Sequence, residues 1–247
     1  MGGQPRDILV PGMSDLTRVG HKGADLIAPG NTFASFDAAV AAGVDMIEFD
    51  VLPEHHDGTG ELWLAHDYVA AAAMEPRPHT LDEGLAHLAG ATFADVQLDV
   101  DLKLPGYELR VLDALRAHGA VDRALVTSQY LGSLQRLRGA EPSLRLGWSV
   151  PRLKRDPTRS PLTIGPAIAL LQVYRRILPR QAASAIRTLR LDALMAQWRL
   201  VSRGLVHAVH EAGAELYVWT VDDAAQIARL GALGVDGVIT NDPRLFT

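Results

Sequence analysis

Short apolar runs recur along this chain, and most are followed by a segment whose apolar positions have helical spacing. Thr17–His21 predicts a strand. Asn31 or Thr32 can cap the next segment and Gly43 ends it, so a helix is expected over Thr32–Ala42. Strands are expected over Asp45–Val51 and, past a polar turn at His55–Gly60, over Leu62–Ala65. Thr80 caps a helix over Leu81–Ala89. Strands then alternate with helices: strand Val96–Leu102, helix Glu108–His118, strand Ala124–Ser128, helix Leu131–Arg138, strand Leu144–Val150. A basic, proline-rich loop is expected over Pro151–Pro161, and a strongly apolar helix over Ile164–Leu178. The last units are a weak strand at Ala193–Ala196, helix Ser202–Ala212, strand Glu215–Val221, helix Asp223–Leu233 and strand Val235–Thr240.

Repeated strand–helix units of this length point to a parallel sheet with helices outside it. Roughly eight strands in one chain favour closure, so the expected architecture is α/β, a single-domain (β/α)8 TIM barrel. It is placed over residues 16–247, with residues 1–15 as a flexible, polar lead-in. An open doubly wound sheet is the alternative; it would ordinarily bring a glycine-rich phosphate or dinucleotide loop, and the sequence has none.

Composition narrows the classes. The 247 residues are 48% hydrophobic, ample for a closed core, and the net charge is −5. Lys and Arg are spread along the chain, which argues against a nucleic-acid partner. Cysteine is absent, so disulfides and thiolate metal sites are excluded, and a reducing, cytoplasmic setting fits. The N-terminus lacks the basic start and apolar run of a signal peptide, and no apolar stretch reaches transmembrane length. Peripheral membrane contact stays open, and the oligomeric state is not fixed.

Candidate chemistry lies on strand faces. In Asp45–Val51, Glu48 and Asp50 share one face while Ile47, Phe49 and Val51 take the other. Two carboxylates converging in a partly dry site repel unless a cation joins them. Hard oxygen ligands suit Mg²⁺ or Ca²⁺. The segment Gln97–Lys103 repeats the pattern: Asp101 can supply a third metal ligand and Lys103 a phosphate contact. Asp99 lies one layer deeper, where pairing with Lys103 is an equal reading. His21 and His66 each follow a predicted strand, and a histidine pair beside a carboxylate cluster suits acid–base work near neutral pH. Trp219, near a strand end, can wall the pocket, while for Tyr217 on the same face ordinary barrel packing is an equal reading.

These residues, in this order, resemble the glycerophosphodiester phosphodiesterase family over Thr17–Phe246. The motifs are His21-Lys22-Gly23, Gly30-Asn31-Thr32, Glu48-Phe49-Asp50, His66-Asp67, Asp101-Leu102-Lys103, Trp219-Thr220 and the run Gly234–Pro243. The resemblance implies a (β/α)8 barrel with its site at the C-terminal face and a small glycerophosphodiester as substrate. In that chemistry the glycerol 2-hydroxyl attacks phosphorus, the head-group alcohol leaves, and water opens the cyclic phosphate. It further implies His21 and His66 as general acid and base, in unassigned order. Glu48, Asp50 and Asp101 would hold a divalent metal, and Lys22 and Lys103 would contact phosphate.

The chain departs from the family pattern at three positions. Lys22 replaces an arginine, a point charge in place of a bidentate fork. Gly30 replaces a glutamate, which removes a carboxylate and is expected to leave space beside Lys22. Asp101 replaces a longer glutamate. Two further readings follow: a lysophospholipase D or phospholipase-like enzyme on lipid substrates, supported by the apolar Ile164–Leu178 run, and an inactive barrel that only binds a phosphorylated ligand.

Overall fold

The computed structural model describes residues 16–75, 77–152 and 161–246, and of residues 161–169 the backbone alone. The expected lead-in and most of the expected loop over Pro151–Pro161 lie outside the described residues. Among the described residues nine strands occur: β1 Thr17–Gly20, β2 Met46–Pro53, β3 Leu62–Leu64, β4 Gln97–Leu102, β5 Ala124–Ser128, β6 Arg145–Val150, β7 Ala193–Gln197, β8 Glu215–Trp219 and β9 Gly237–Thr240. The helices are α1 Phe33–Ala41, α2 Tyr68–Ala72, α3 Leu81–Leu88, α4 Glu108–Ala117, α5 Leu131–Ala140, α6 Pro161–Leu189, α7 Arg203–Glu211 and α8 Ala224–Leu233.

Eight strands are parallel neighbours in the circular order β1-β2-β4-β5-β6-β7-β8-β9, and β1 closes the ring by pairing with both β2 and β9. The expected (β/α)8 barrel is therefore what forms. The ninth strand, β3, is no stave: it pairs antiparallel with the end of β2, Val51 opposite Leu64. This short hairpin returns the chain so that His66 follows at the barrel mouth.

Alternation along the strands sorts the side chains. Ile47, Phe49 and Val51 of β2 and Leu98, Val100 and Leu102 of β4 join the large apolar layer between strands and helices. Val19, Met46, Leu125, Met195, Tyr217 and Ile239 fill the barrel interior below the site. Gly237 is required there, since a Cβ would stand 2.5 Å from the Tyr217 ring. The polar residues of β2 and β4 fall in the interior layers above, as the strand periodicity predicts.

Local signals explain most boundaries. Thr32 and Thr80 both form capping boxes, and Ser202 and Asp223 cap α7 and α8. Gly234 ends α8 in the left-handed region at φ 94°. The expected helix over Ile164–Leu178 is corrected to Pro161–Leu189: Pro179 reads as a stop, yet the helix continues through it. Burial of Leu178, Ala182, Ala183 and Ile186 outweighs the hydrogen bond that the proline deletes. The short α2 has no clear periodic signal; Asp67 caps it through Ala70 N.

Tyr107 fastens the mouth. Its hydroxyl donates to Val51 O at 2.6 Å and accepts from the Lys103 and Leu104 N–H groups at 2.9 and 3.2 Å. Its ring is buried. Tyr107→Phe leaves the Leu104 N–H without its partner and weakens the ties at Lys103 N and Val51 O, which keep their own 3.3 Å bond to each other, so it is expected to destabilise the fold by about 1–3 kcal/mol in urea titration. An unchanged midpoint would mean that water replaces the hydroxyl.

Candidate active site

The parallel pairing of β2 with β4 sets Glu48 beside Asp99 and Asp50 beside Asp101. Four interior carboxylates thus face one another. Glu48, Asp50 and Asp101 each place an oxygen within 4.8 Å of the others. Above them opens a cavity of about 190 Å³ whose lining includes His21, Glu48, His66, Asp99, Asp101, Lys103 and Trp219. Asp50 stands fully buried behind them. The Lys103 ammonium lies against both Asp50 Oδ1 and Asp101 Oδ2. Asp99 instead accepts from Thr127 Oγ1 at 2.8 Å.

The ionisation of this cluster follows from burial and charge. Burial, and then the charge of Asp50, pushes the Glu48 carboxyl well above its ordinary range. Burial opposes ionisation of Asp50 as well, but Lys103, His66 and His21 overcome it and hold its pKa low. Burial and the Asp101 charge raise Asp99 to about 8 against the Thr127 hydrogen bond. For Lys103, burial alone would lower the pKa; Asp101, Asp50 and Glu48 outweigh it and hold it well above its ordinary value. A group of hard oxygen donors thus outnumbers its one ammonium. Asp50 Oδ1 is buried without a hydrogen bond, touched only by the Lys103 charge. Unmatched negative charge on convergent carboxylates fits a hard divalent cation.

The β1–α1 loop orients this floor. Lys22 N donates to Glu48 Oε2 at 2.8 Å, and Gly23 N to Glu48 O at 3.1 Å. Lys22 and Gly23 both take positive φ, 50° and 88°, which folds the loop onto β2. Asn31, also at positive φ, clamps Asp50 from both sides: its Nδ2 donates to Oδ2 at 2.9 Å and its Oδ1 accepts from Asp50 N at 3.0 Å. Of the two candidate caps for α1, Thr32 therefore does the capping, and Asn31 holds the carboxylate.

The two histidines are held differently. Asn241 Nδ2 and N donate to Asp222 at 2.7 and 2.8 Å, which leaves Asn241 Oδ1 to accept from His21 Nδ1 at 2.5 Å. That network assigns the proton of neutral His21 to Nδ1 and leaves Nε2 as a lone pair, 3.9 Å from Glu48 Oε2. Burial lowers the His21 pKa and outweighs the Asp50 charge and the Asn241 hydrogen bond, which favour the imidazolium. His66 Nδ1 lies 3.0 Å from Asp67 Oδ2, and its side chain is 52% exposed. Asp67 also caps α2, so one carboxylate fixes the ring and the helix start.

Six of the residues singled out in the sequence, His21, His66, Glu48, Asp101, Lys103 and Trp219, line this one cavity, with Asp50 behind. Trp219 Nε1 is buried without a hydrogen-bond partner, so this wall carries a free donor besides its apolar face. Lys22 differs: its ammonium pairs with Asp25 Oδ2 at 3.2 Å and is not part of the lining. The space expected at Gly30 is also filled, because Gly30 N donates to Asp25 Oδ1 and a Cβ there would stand 2.5 Å from that oxygen. Sequence reasoning passed over Asn31, Asn241, Asp222, Asp25, Thr127, Gln129 and Ser149. Asn31 and Asn241 lay inside the quoted motifs, and Thr127 and Ser149 sit near strand ends, where inward polar residues are a usable signal.

Residues 21–52 and 100–245 match the profile of the glycerophosphoryl diester phosphodiesterase family. A glycerophosphodiester phosphodiesterase of Caldanaerobacter subterraneus subsp. tengcongensis is 24% identical over 255 residues, covering 91% of this chain and 93% of that one. The crystal structure of a glycerophosphodiester phosphodiesterase from Parabacteroides distasonis superposes with a TM-score of 0.70 at 16% identity, covering 94% of this chain and 95% of that one. An Oleispira antarctica phosphodiesterase, solved in complex with the product sn-glycerol-3-phosphate, superposes with a TM-score of 0.68 at 19% identity, covering 94% and 95% of the two chains.

The raised pKa of Asp99 makes a prediction for protein held in excess chelator. Folded Asp99 keeps its proton up to about pH 8, whereas the unfolded residue releases it near its ordinary value of 3.8. Unfolding therefore releases a proton across that window, and rising pH favours unfolding. Asp99→Asn is expected to gain stability over the native chain progressively from about pH 4 to pH 8, read as the difference in melting temperature. A difference that is flat with pH would refute a protonated Asp99.

Proposed function

Because the chain belongs to the glycerophosphoryl diester phosphodiesterase family, we propose that it hydrolyses a glycerophosphodiester to an alcohol and glycerol 3-phosphate in this cavity. The observation that carries the reading is the convergence of Glu48, Asp50 and Asp101 beneath two histidines at one barrel mouth. The product bound in the Oleispira antarctica phosphodiesterase supports the same substrate class. Glu48, Asp50 and Asp101 would hold Mg²⁺ or Ca²⁺. Such a cation supplies charge against the phosphate and eases ionisation of the attacking hydroxyl. The setting is cytoplasmic, a reading that rests on the cysteine-free composition.

The hydrogen-bond networks support one order of proton transfers. His21, neutral with Nε2 free, is the base: it takes the proton of the glycerol 2-hydroxyl as that oxygen bonds to phosphorus. His66, its Nδ1 paired with Asp67, gives a proton to the head-group oxygen as its bond to phosphorus breaks. In the second half the roles exchange. Water adds to phosphorus and passes a proton to His66, and His21 returns its proton to the 2-oxygen as the ring opens. Lys103 and Lys22 supply positive charge to the phosphate, Lys22 after parting from Asp25, and Trp219 offers its face and free Nε1–H.

His21→Ala and His66→Ala are each expected to lower turnover by about 10²–10⁴-fold with the circular dichroism spectrum intact. Glycerol 3-phosphate release from a panel of soluble diesters is the readout, and near-native rates in both variants would overturn the pair. Chelation should abolish activity, and added Mg²⁺ or Ca²⁺ should restore it; full turnover in excess chelator with no metal by elemental analysis refutes the metal site. Lys22→Ala should weaken binding and slow turnover together while Lys22→Arg is tolerated. A native catalytic efficiency for Lys22→Ala would confine position 22 to its backbone role on Glu48.

A further inference from the structure

The barrel is asymmetric in where it exposes apolar side chains. Among the described residues the exposed large hydrophobics are Leu26, Ile27, Val69, Leu109, Leu170, Val173 and Ile177. All belong to the end that carries the catalytic mouth. Leu26 and Ile27 lie in the β1–α1 loop. Val69 lies in α2, next to Tyr68, whose hydroxyl bonds Pro53 O at the end of β2. Leu109 is in the first turn of α4.

The other three lie on α6, whose length is out of scale. It has 29 residues, against nine for α7 and ten for α5. Among its described side chains, from Leu170 on, the fully buried positions begin at Leu178. At Arg175 the helix is already level with the mouth, because Nη2 there bonds Val201 O in the segment after β7. Tyr174 likewise lines a groove with Pro105 and Tyr130, from the β4–α4 and β5–α5 connections. Leu170 and Val173, described apolar positions before Tyr174, therefore lie at or past the rim of the mouth.

The described part of α6 from Leu170 on is amphipathic on its open side. At 100° per residue Leu170, Val173 and Ile177 fall within one stripe, and Arg180 and Arg176 border it on one side. Both arginines are exposed and have no carboxylate in ion-pair range among the described residues. α6 holds four arginines and no Asp or Glu, in a chain of net charge −5. Arg152, also exposed at this end, lies over the Tyr130 ring. No helix among the described residues is long and apolar enough to cross a membrane.

We propose that the mouth face, led by the Leu170, Val173 and Ile177 stripe of α6, docks on the surface of an anionic lipid bilayer. Separate apolar islands around a polar mouth suit a fluid, planar partner; a protein partner would require one continuous patch of matching shape. An apolar stripe bordered by unpaired arginines is the pattern of a helix that enters the headgroup layer, where anionic lipids supply the missing negative charge. The catalytic cavity would then open onto the interface itself. The proposal concerns location and is read by binding, so it stands or falls apart from the phosphodiesterase reading.

The chain has no cysteine, so a single one can carry an environment-sensitive fluorophore. Val173→Cys reports on the stripe, and Ala117→Cys, exposed at the end of α4, reports on the opposite end. Vesicles of phosphatidylcholine, and of phosphatidylcholine mixed equally with phosphatidylglycerol, are the probes. The label at 173 is expected to shift to the blue with the mixed vesicles, and the label at 117 is not. Combined Leu170→Ser, Val173→Ser and Ile177→Ser should weaken co-sedimentation at least about tenfold with an unchanged dichroism spectrum. Arg152→Gln with Arg176→Gln and Arg180→Gln should remove the preference for the anionic mixture. The proposal fails if the native chain stays in the supernatant with both vesicles, or if the two labels shift alike. It also fails if the native chain sediments as a dimer that the serine variant dissolves, since the stripe would then be covered by a second copy.

Discussion

Parallel pairing in one register, Glu48 against Asp99 and Asp50 against Asp101, is the constraint on which the site depends. Backbone ladder bonds hold the strands, and the side chains have no choice about their neighbours. Four carboxylates are pressed into the barrel's upper layers, where the low dielectric makes like charges costly. Three responses are visible: Glu48 and Asp99 are pushed toward protonation, Lys103 is drawn onto Asp50 and Asp101, and Asn31 and Thr127 donate hydrogen bonds. A divalent cation would do more than any of them. It would neutralise the same oxygens at once and free the Lys103 ammonium for a phosphate.

The second feature is how few loops accomplish the positioning. One turn, His21–Gly23, presents the His21 imidazole and, through Lys22 N and Gly23 N, fixes both ends of Glu48. The same turn continues into Asp25, which fills the place where a side chain at position 30 would sit. Asn241 extends from the end of β9 to His21, and Asp222 anchors it from the connection after β8. Closure of the barrel is what makes these neighbours, since β9 lies beside β1 only because the ring is complete.

How much of this was legible depended on whether a residue's role is set by its own strand or by a distant one. Glu48, Asp50, Asp101 and Lys103 were legible because period-two alternation alone aims them inward. So was the barrel, from the strand–helix repeat. The roles of Asn241 and Asp222 were not, because they arise across 220 residues and 19 residues of sequence separation respectively. Lys22 was read by its charge, whereas the structure uses its N–H and pairs its ammonium with Asp25. The helix expected to end at Leu178 runs on through Pro179, because tertiary burial at Leu178, Ala182 and Ile186 overrides the local cost of a proline.

The two ends of the barrel divide stability from function by chemistry. At the N-terminal end arginines tie strand and helix termini together. Arg18 makes a bidentate pair with Asp45 across the starts of β1 and β2, and Arg145 joins Gln97 and Glu215 at the starts of β4 and β8. Arg138 binds four carbonyls and Asp192, and Arg123 caps the carbonyls of Leu88, Phe93 and Val96. Guanidinium groups suit this end because one planar fork satisfies several acceptors whose positions never change. At the C-terminal end the polar groups are left partly unmatched: a free Trp219 donor, a histidine lone pair and one lysine shared by Asp50 and Asp101. Those unmet needs persist because the arginine-laced end and the apolar layer between strands and helices hold the strands in register regardless of them. A ligand that satisfies them meets groups already in place, which is the condition for electrostatic preorganisation.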